Sequence, residues 1–285
     1  MISGIFHDGS GLGDQLFRYI TVRTLAEEKG YGWGMLGVEN FKGISFLNLD
    51  TGISGHVPAV RKLATGNQWI EKDTRDSKNN DIRSYDPEIN FVEDNTVIDG
   101  SFEDSKYWSH NLQNIAKWLA TEPLEVPDDT CVIGFRGGEY SAISQLFLPK
   151  SLYFKGVEIM KQRGVTNFEV HTDDPTLAKQ FFPDFKVIDN TRLSHSKHSN
   201  MGYNWRAMRY AKHAIIPNSA FYILPRLLAH KQREAKGITG WPKDFINDKE
   251  GALTIAPRYW AGYNEKIWKR PACFYKPFTY IHADE

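Results

Sequence analysis

Segment 134–140, Gly-Phe-Arg-Gly-Gly-Glu-Tyr, contains the residues whose types and spacing most readily suggest chemistry. It places one arginine, Arg136, and one carboxylate, Glu139, on a glycine-rich turn after the apolar run at residues 131–133. If that run is a strand of an open α/β sheet, the turn lies at its carboxyl end, where such sheets bind ligands. A guanidinium matches two phosphate oxygens at once. The segment therefore indicates an anion site, and the alternative is a surface arginine beside a tight turn.

Two later segments place further polar groups where predicted strands end. Asp173 and Asp174 follow one strand, and either carboxylate could accept hydrogen bonds from a nucleotide base or from ribose hydroxyls. Asn218 and Ser219 follow another strand and precede a helix, whose first N–H groups and dipole favour a phosphate. Each segment is also an ordinary helix start. Because parallel strands end at one edge of a sheet, the three segments together predict a nucleotide-diphosphate site that needs no metal.

The first half of the chain is predicted to begin with a strand, a glycine turn and a helix. The strand covers residues 2–6, and Gly9, Gly11 and Gly13 form the turn, which does not match G-x-G-x-x-G. Asp14 is predicted to cap a helix that runs to about residue 29. Residues 43–95 are polar and weakly periodic, with a solvated loop at 72–81. A strand at 97–100, a helix at 111–119 and an interdomain linker at 122–129 follow.

The second half alternates more regularly between strands and helices. Strands are predicted at residues 131–135, 168–172, 185–188 and 214–216, and helices at 151–163, from 175, at 201–212 and at 219–230. This alternation is typical of a parallel sheet, so we expect an α/β fold.

Composition excludes some classes of function and leaves others open. Thirty-five basic residues balance thirty-five acidic ones, which argues against a nucleic-acid binder that works through bulk charge. The two cysteines, Cys131 and Cys273, form neither a disulfide framework nor a metal-ligand cluster. No apolar run approaches the roughly 18–20 residues that span a bilayer, and residues 1–8 show no secretory signal. We expect a protein of the cytoplasm with no integral membrane segment, and most of its aromatic residues in the core.

Six segments, in order along the chain, resemble signatures of the GT-B fucosyltransferases, especially the α-1,2-fucosyltransferase family (glycosyltransferase family 11). They are residues 11–19 (GLGDQLFRY, family GLGNQLFQY), 100–108 (GSFEDSKYW, GYFQSEKYF), 134–140 (GFRGGEY, H-x-R-R-G-D-Y), 171–175 (HTDDP, S/T-D-D), 212–221 (KHAIIPNSAF, KHNIIANSSF) and 256–260 (APRYW, A-P-x-x-W). The HTDDP segment is most similar to the related α-1,6 enzymes.

The resemblance implies a GT-B architecture, with two facing Rossmann-like domains, parallel sheets and an active site in the cleft. Residues 1–125 would form the acceptor-side domain and residues 126–285 the donor-nucleotide domain. The implied reaction is inverting transfer of fucose from GDP-fucose to a glycan hydroxyl, with no required cofactor and no metal.

By position in the motifs, the resemblance also implies a role for individual residues. Arg136 would hold the donor diphosphate, and Asp14 would lie near the reacting sugar, as a candidate general base. Asp173 or Asp174 would contact the guanine, and the phosphate and sugar would contact Asn218, Ser219, Ala220 and Phe221. Apart from the resemblance, the glycine turn can bring the backbone of Gly11 and Gly13 near the donor.

The arginine segment departs from the family pattern at three positions. The motif histidine is Gly134, the second arginine is Gly137, and the aspartate is Glu139. Loss of one charge-stabilising donor can cost about 10²–10³ in rate. Candidate replacements for the missing cation are Lys212, Arg206, Arg209, Arg18 and Arg258, and rivals of Asp14 as general base are His7, Asp8 and Glu139. Two alternatives stay open: a non-catalytic relative that binds a nucleotide sugar or glycan, and a glycosyltransferase with another donor.

Overall fold

The computed structural model describes residues 1–53, 67–72, 84–143, 146–190, 200–234, 251–258 and 278–281. Within these residues the chain forms two compact units, one up to Ala120 and one from Thr121 onward. The division lies next to the predicted linker at residues 122–129. The assignment of acceptor and donor roles to the two parts of the chain stays a prediction.

The described part of the first unit contains a parallel four-stranded sheet in the order β2-β1-β4-β3. Its strands are β1 (Ile2–Ile5), β2 (Trp33–Leu36), β3 (Asn67–Ile70) and β4 (Thr96–Asp99). The helices are α1 (Leu12–Lys29) and α2 (Leu112–Trp118). Helix α1 ends at Gly30, whose φ of 67° and N–H bond to the Glu27 carbonyl form a left-handed cap.

The described part of the second unit contains a parallel six-stranded sheet in the order β10-β9-β8-β5-β6-β7. Its strands are β5 (Thr130–Phe135), β6 (Asn167–Thr172), β7 (Lys186–Val187), β8 (His213–Ile215), β9 (Leu253–Pro257) and β10 (Thr279–Ile281). Its helices are α3 (Lys150–Gln162), α4 (Pro175–Phe181), α5 (Asn200–Tyr210) and α6 (Ala220–Glu234). All six residues of β5 are buried, as expected for a central parallel strand covered on both faces.

Aromatic side chains fill much of the core of the second unit. The ring of Phe135, at the end of β5, lies 4.9–5.9 Å from the rings of Phe147, Tyr153, Phe181 and Phe182. Tyr153 belongs to α3 and Phe181 to α4, whereas Phe147 and Phe182 lie in the adjoining loops. Together these rings fix the position of the end of β5. Burying each such side chain contributes about 1.5–3 kcal/mol. The arginine segment therefore begins on a rigidly packed strand.

The predicted α/β class, with parallel sheets, is confirmed in both units. The predicted strands and helices are present, with ends that differ by a few residues. Four strands were not predicted: β2, β3, β9 and β10. Asp14 does not cap α1, because the helix begins at Leu12 and Gly11 occupies the N-cap position. Asp14 lies in the first turn instead.

Candidate functional site

Three strand ends meet at the carboxyl edge of the second sheet, because β5 lies between β8 and β6. The order β7-β6-β5-β8-β9-β10 follows the 3-2-1-4-5-6 pattern of dinucleotide-binding folds, in which the order reverses between the first and fourth strands. Here that switch point lies between β5 and β8. Arg136 follows β5, and Asn218 follows β8. The predicted convergence of the arginine, aspartate and asparagine segments on one sheet edge is therefore present.

Arg136 is held by two carboxylates and one aromatic ring. Its Nη1 donates to Oδ2 of Asp173 at 2.5 Å, and its Nη2 donates to Oε1 of Glu139 at 3.0 Å. The guanidinium carbon lies 4.7 Å from the centre of the Tyr140 ring, within cation–π range. The side chain is 24% exposed, so it is accessible to a ligand while its orientation is fixed. Glu139 is 73% exposed and can move aside at little cost.

The two aspartates after β6 have different partners. Asp173 accepts from Arg136 through Oδ2 and from the Gly137 N–H through Oδ1, at 2.9 Å, so both of its oxygens position the arginine turn. Asp174 caps α4, because its Oδ1 accepts from the N–H of Leu177 at 2.9 Å. Among the described residues its Oδ2 has no hydrogen-bond partner. Of the two, Asp174 therefore has the oxygen that is available to a base.

The start of α6 contains a buried amide that lacks partners. Asn218 is 3% exposed, and neither Nδ2 nor Oδ1 finds a hydrogen-bond partner among the described residues. Ser219 is 5% exposed, and Ala220 begins the helix. The Phe221 ring packs against Trp205 of α5, at 5.8 Å between centroids. The unmet amide lies at the switch point, beside the start of α6.

Gly134 and Gly137 lie where a side chain has no room. A Cβ on Gly134 would lie 2.6 Å from Cε1 of Tyr222, a buried ring whose hydroxyl donates to the His171 carbonyl at 3.2 Å. A Cβ on Gly137 would lie 2.8 Å from Cβ of Asp174 and 3.1 Å from Cε1 of Phe135. The departures from the family motif are therefore accompanied by local packing that excludes a histidine or an arginine. Tyr222 was not singled out from the sequence, since only tertiary contacts bring it to β5.

The candidate replacements for the missing arginine lie at different places. Lys212 precedes β8, at the amino edge of the sheet, and its Nζ lies 3.8 Å from Oδ2 of Asp128. Arg209 belongs to the last turn of α5, near the same amino edge, where burial lowers its pKa to about 10. Arg258 follows β9, at the carboxyl edge that also bears Arg136, and it is exposed.

Two further candidates are buried. Arg206 is 4% exposed, and its Nε donates to the Gly202 carbonyl one turn earlier in α5. Arg18 belongs to α1 of the first unit, where its Nε lies 3.0 Å from Oδ1 of Asp99. Of the five, Arg258 is the exposed cation at the edge where the diphosphate is predicted to bind.

A buried polar chain anchors the end of β6 to α5. Asn204 donates through Nδ2 to the Thr172 carbonyl at 3.0 Å, and its Oδ1 lies 3.0 Å from Nδ1 of His171. The other ring nitrogen of His171 lies 3.7 Å from Oε2 of Glu169. Lys186 donates to Glu169 at 2.6 Å. Two groups lower the pKa of the Glu169 carboxyl to about 2: the His171 imidazole has the larger effect, and the Lys186 ammonium has the smaller one. These polar side chains fix the backbone at Thr172, the residue before Asp173.

The predicted residues of the first unit lie at the start of α1. Gly11 is the exposed N-cap, without a side-chain capping bond, and Gly13 is buried in the first turn. A Cβ on Gly11 would lie 3.1 Å from Oδ2 of Asp14, so this carboxylate covers the N-cap residue. A carboxylate in the first turn also interacts favourably with the positive end of the helix dipole.

The described residues contain neither a cluster of metal ligands nor a membrane-spanning helix. They include no group of three or more His, Cys, Asp or Glu that could hold a metal ion. No helix among them has the length and apolar character to cross a membrane. Cys131 is a buried free thiol, and burial raises its pKa. Cys273, residues 259–260 of the last motif and most of the 72–81 loop lie outside the described residues.

Comparison with known proteins gave structural neighbours of low similarity. No protein-family model and no curated protein sequence matches the chain. Crystal structures of NodZ α-1,6-fucosyltransferase co-crystallised with GDP, and of fucosyltransferase NodZ from Bradyrhizobium, each align at 17% identity and a TM-score of 0.43. The alignments cover 79% of this chain and 92–93% of those chains. NodZ soaked with GDP-fucose aligns at 16% identity and a TM-score of 0.42.

Proposed function

We propose that this chain is an inverting glycosyltransferase that moves fucose from GDP-fucose, or a close sugar from its GDP-sugar, to a glycan hydroxyl without a metal ion. The observation that carries the proposal is the buried amide of Asn218, which lacks partners among the described residues and lies at the switch point of the second sheet. An unmet buried polar group costs about 1–3 kcal/mol, and a bound ligand can supply the missing partner. The six ordered resemblances supply the identity of the donor.

In this proposal the diphosphate binds between Arg136 and the start of α6. The guanidinium neutralises phosphate oxygens when Glu139 gives way, and Asp173 keeps it oriented. The N–H groups and dipole of the 15-residue α6 stabilise the same charge. The negative charge that grows on the leaving GDP is therefore met by fixed positive groups, which is the electrostatic part of catalysis.

The guanine is proposed to bind next to Asp174. Its Oδ1 is used by the cap of α4, whereas Oδ2 can accept from a ring N–H of the base. Uracil, cytosine and adenine do not present the paired ring and exocyclic N–H groups of guanine to one carboxylate. The geometry therefore favours GDP over UDP, CMP and ADP.

A non-catalytic nucleotide-sugar binder is the second candidate function. The observation that favours it is the pairing of Arg136 with two carboxylates, together with the lack of space for an arginine at Gly137. Such a protein would bind GDP-fucose and release no GDP. A transferase with another donor would bind a different nucleotide sugar.

Calorimetric titration with GDP, UDP, ADP and CMP tests the nucleotide site. We expect selective binding of GDP, and a 10- to 150-fold weaker Kd for Arg136→Ala, which corresponds to roughly 1.5–3 kcal/mol for a charged hydrogen bond. Lys212→Ala is the matched control, because this lysine lies at the opposite edge of the sheet, and it should leave the Kd unchanged. Preference for UDP, or equal Kd values for wild type and Arg136→Ala, would contradict the proposal. GDP release from GDP-fucose then separates a transferase from a binder.

A further inference from the structure

Four neighbouring strands of the second sheet place a polar or charged residue at the same level of the carboxyl edge. One set of residues lies opposite one another on β6, β5, β8 and β9: Val170, Ile133, Ile215 and Ile255. Three residues further along each of these segments is a residue of what we call the edge row: Asp173, Arg136, Asn218 and Arg258. Arg136 and Asp173 are in contact, so the alignment of β5 with β6 persists beyond their last paired residues.

The backbone on the other side of the edge row is also held in place. The N–H of Arg258 donates to the Ile281 carbonyl of β10 at 2.9 Å. One residue after β8, the N–H of Ile216 donates to the Ile255 carbonyl of β9, also at 2.9 Å. Neighbouring strands lie about 4.8 Å apart, so the backbones of the two arginines of the row, two strands apart, are separated by about 10 Å. A diphosphate over Asn218, between them, can be reached by a guanidinium from each side.

Both arginines continue the strand face that packs against α6. On β5 that face carries Gly134, where a Cβ would lie 2.6 Å from a ring carbon of α6. On β9 it carries Thr254, whose hydroxyl oxygen accepts from an arginine of α6 at 2.9 Å. Side chains alternate between the two faces of a strand. Arg136 follows Gly134 by two residues, and Arg258 follows Thr254 by four, so we expect both side chains on the side of the sheet where α6 begins.

The groups around Arg136 carry too much negative charge for a diphosphate site with one cation. One guanidinium is paired there with two carboxylates, those of Asp173 and Glu139, which leaves a net charge of −1. Asp174 adds a further carboxylate at the same edge. A diphosphate would add more negative charge, so its binding calls for another cation. Arg258 has an exposed side chain and lies in the edge row.

We propose that Arg258 is a second diphosphate-binding residue, an inference that rests on the proposed GDP site. It supplies the cation that the fucosyltransferase motif, which segment 134–140 resembles, has at residue 137. Arg136 and Arg258 bind phosphate oxygens from opposite sides, and the buried amide of Asn218 binds an oxygen between them. A guanidinium can donate two parallel hydrogen bonds to one phosphate group. The second cation thus comes from β9, two strands away, because Gly137 has no room for a side chain.

Calorimetric titration of the full chain with guanosine and with GDP tests this role. We expect Arg258→Met to weaken the Kd for GDP about 10- to 100-fold, the range for a hydrogen bond to a charged group. The Kd for guanosine should stay unchanged, because the nucleoside has no phosphate. Arg258→Lys should fall between the wild type and Arg258→Met, since an ammonium keeps the charge and loses the paired hydrogen bonds.

Lys150→Met is the matched control, because it also removes one positive charge from the second unit. Lys150 is the first residue of α3, outside the edge row, and its Nζ lies 5.2 Å from the centre of the Phe154 ring. This variant should keep the Kd of the wild type for GDP.

Two results would overturn the role of Arg258 and leave the proposed GDP site standing. One is an unchanged Kd for GDP in Arg258→Met while Arg136→Ala still loses affinity. The other is an equal fold loss for guanosine and GDP in Arg258→Met, which would show general damage to the site. Absence of GDP-selective binding by the wild type would overturn the proposed function together with this inference.

Discussion

Introducing an arginine by the substitution Gly137→Arg should damage the protein rather than improve it. The fucosyltransferase motif that segment 134–140 resembles has an arginine at this position, so the resemblance alone would predict a gain in donor affinity. The structure predicts the opposite, because the obstacle is the Cβ itself. It would lie 2.8 Å from Cβ of Asp174 and 3.1 Å from a ring carbon of the buried Phe135.

The size of the effect follows from these contacts. Carbon atoms pack at about 3.5–4.0 Å, so the new Cβ overlaps Asp174 by roughly 0.7–1.2 Å. Overpacking of this kind costs about 1–3 kcal/mol. Displacing Asp174 also disturbs the cap of α4, which is worth about 1 kcal/mol. A total of about 2–4 kcal/mol corresponds to a fall of roughly 5–15 °C in Tm for the second unit.

The loss of stability is measured by thermal unfolding, and the donor affinity by GDP titration, in the variants Gly137→Arg, Gly137→Ala and Gly32→Ala. Gly137→Ala should lose about as much stability as Gly137→Arg, because both introduce the same Cβ. Gly32→Ala is the control, since its Cβ would make an ordinary 3.5 Å contact with the side chain of Ile53. We expect its Tm to stay within about 2 °C of the wild type, because only a small stability change is expected there.

The reasoning would be refuted by a Gly137→Arg protein with the Tm of the wild type and a tighter Kd for GDP. That result would show that the turn can move away from Asp174 and that the motif arginine is simply missing. A lower Tm for Gly137→Arg together with an unchanged Tm for Gly137→Ala would place the cost in the guanidinium and not in the backbone position.

Three further predictions concern the second unit. Arg226→Met should lower stability by about 3 kcal/mol in urea unfolding, because the fully buried guanidinium donates to the carbonyls of Met208 and Ala211 at the end of α5, which would lose their partners. The pKa of the Glu169 carboxyl is lowered from 4.5 to about 2 in the folded protein, so this group contributes stability above pH 4.5 that is lost as the pH falls towards 2. In Glu169→Gln the free energy of unfolding should therefore depend less on pH within that range. Gly134→His should unfold at lower temperature than the wild type, because the ring of Tyr222 occupies the space; a gain in stability would contradict this packing.

The sequence predicted the ends of the strands that form the candidate donor site. The alternation of apolar runs and helices placed Arg136, Asp173 and Asn218 directly after strands, and a parallel sheet then requires these ends to share one edge. It did not predict β2, and it did not predict β3 because residues 67–70 are mostly exposed and have no apolar pattern. Strand β9 is fully buried, and its mostly apolar sequence from Leu253 to Pro257 was a signal that could have identified it.

The sequence by itself determined the α/β class and which residue types stand at each strand end, because both depend on local periodicity and on chain order. Only the tertiary structure decided what occupies the space around them. Tyr222 packs against Gly134, and Asp174 packs against Gly137. Asp173 accepts a hydrogen bond from Arg136. These partners are far apart in the chain, and close packing sets their contacts to within a fraction of an ångström, a scale that a hydrophobic pattern does not encode.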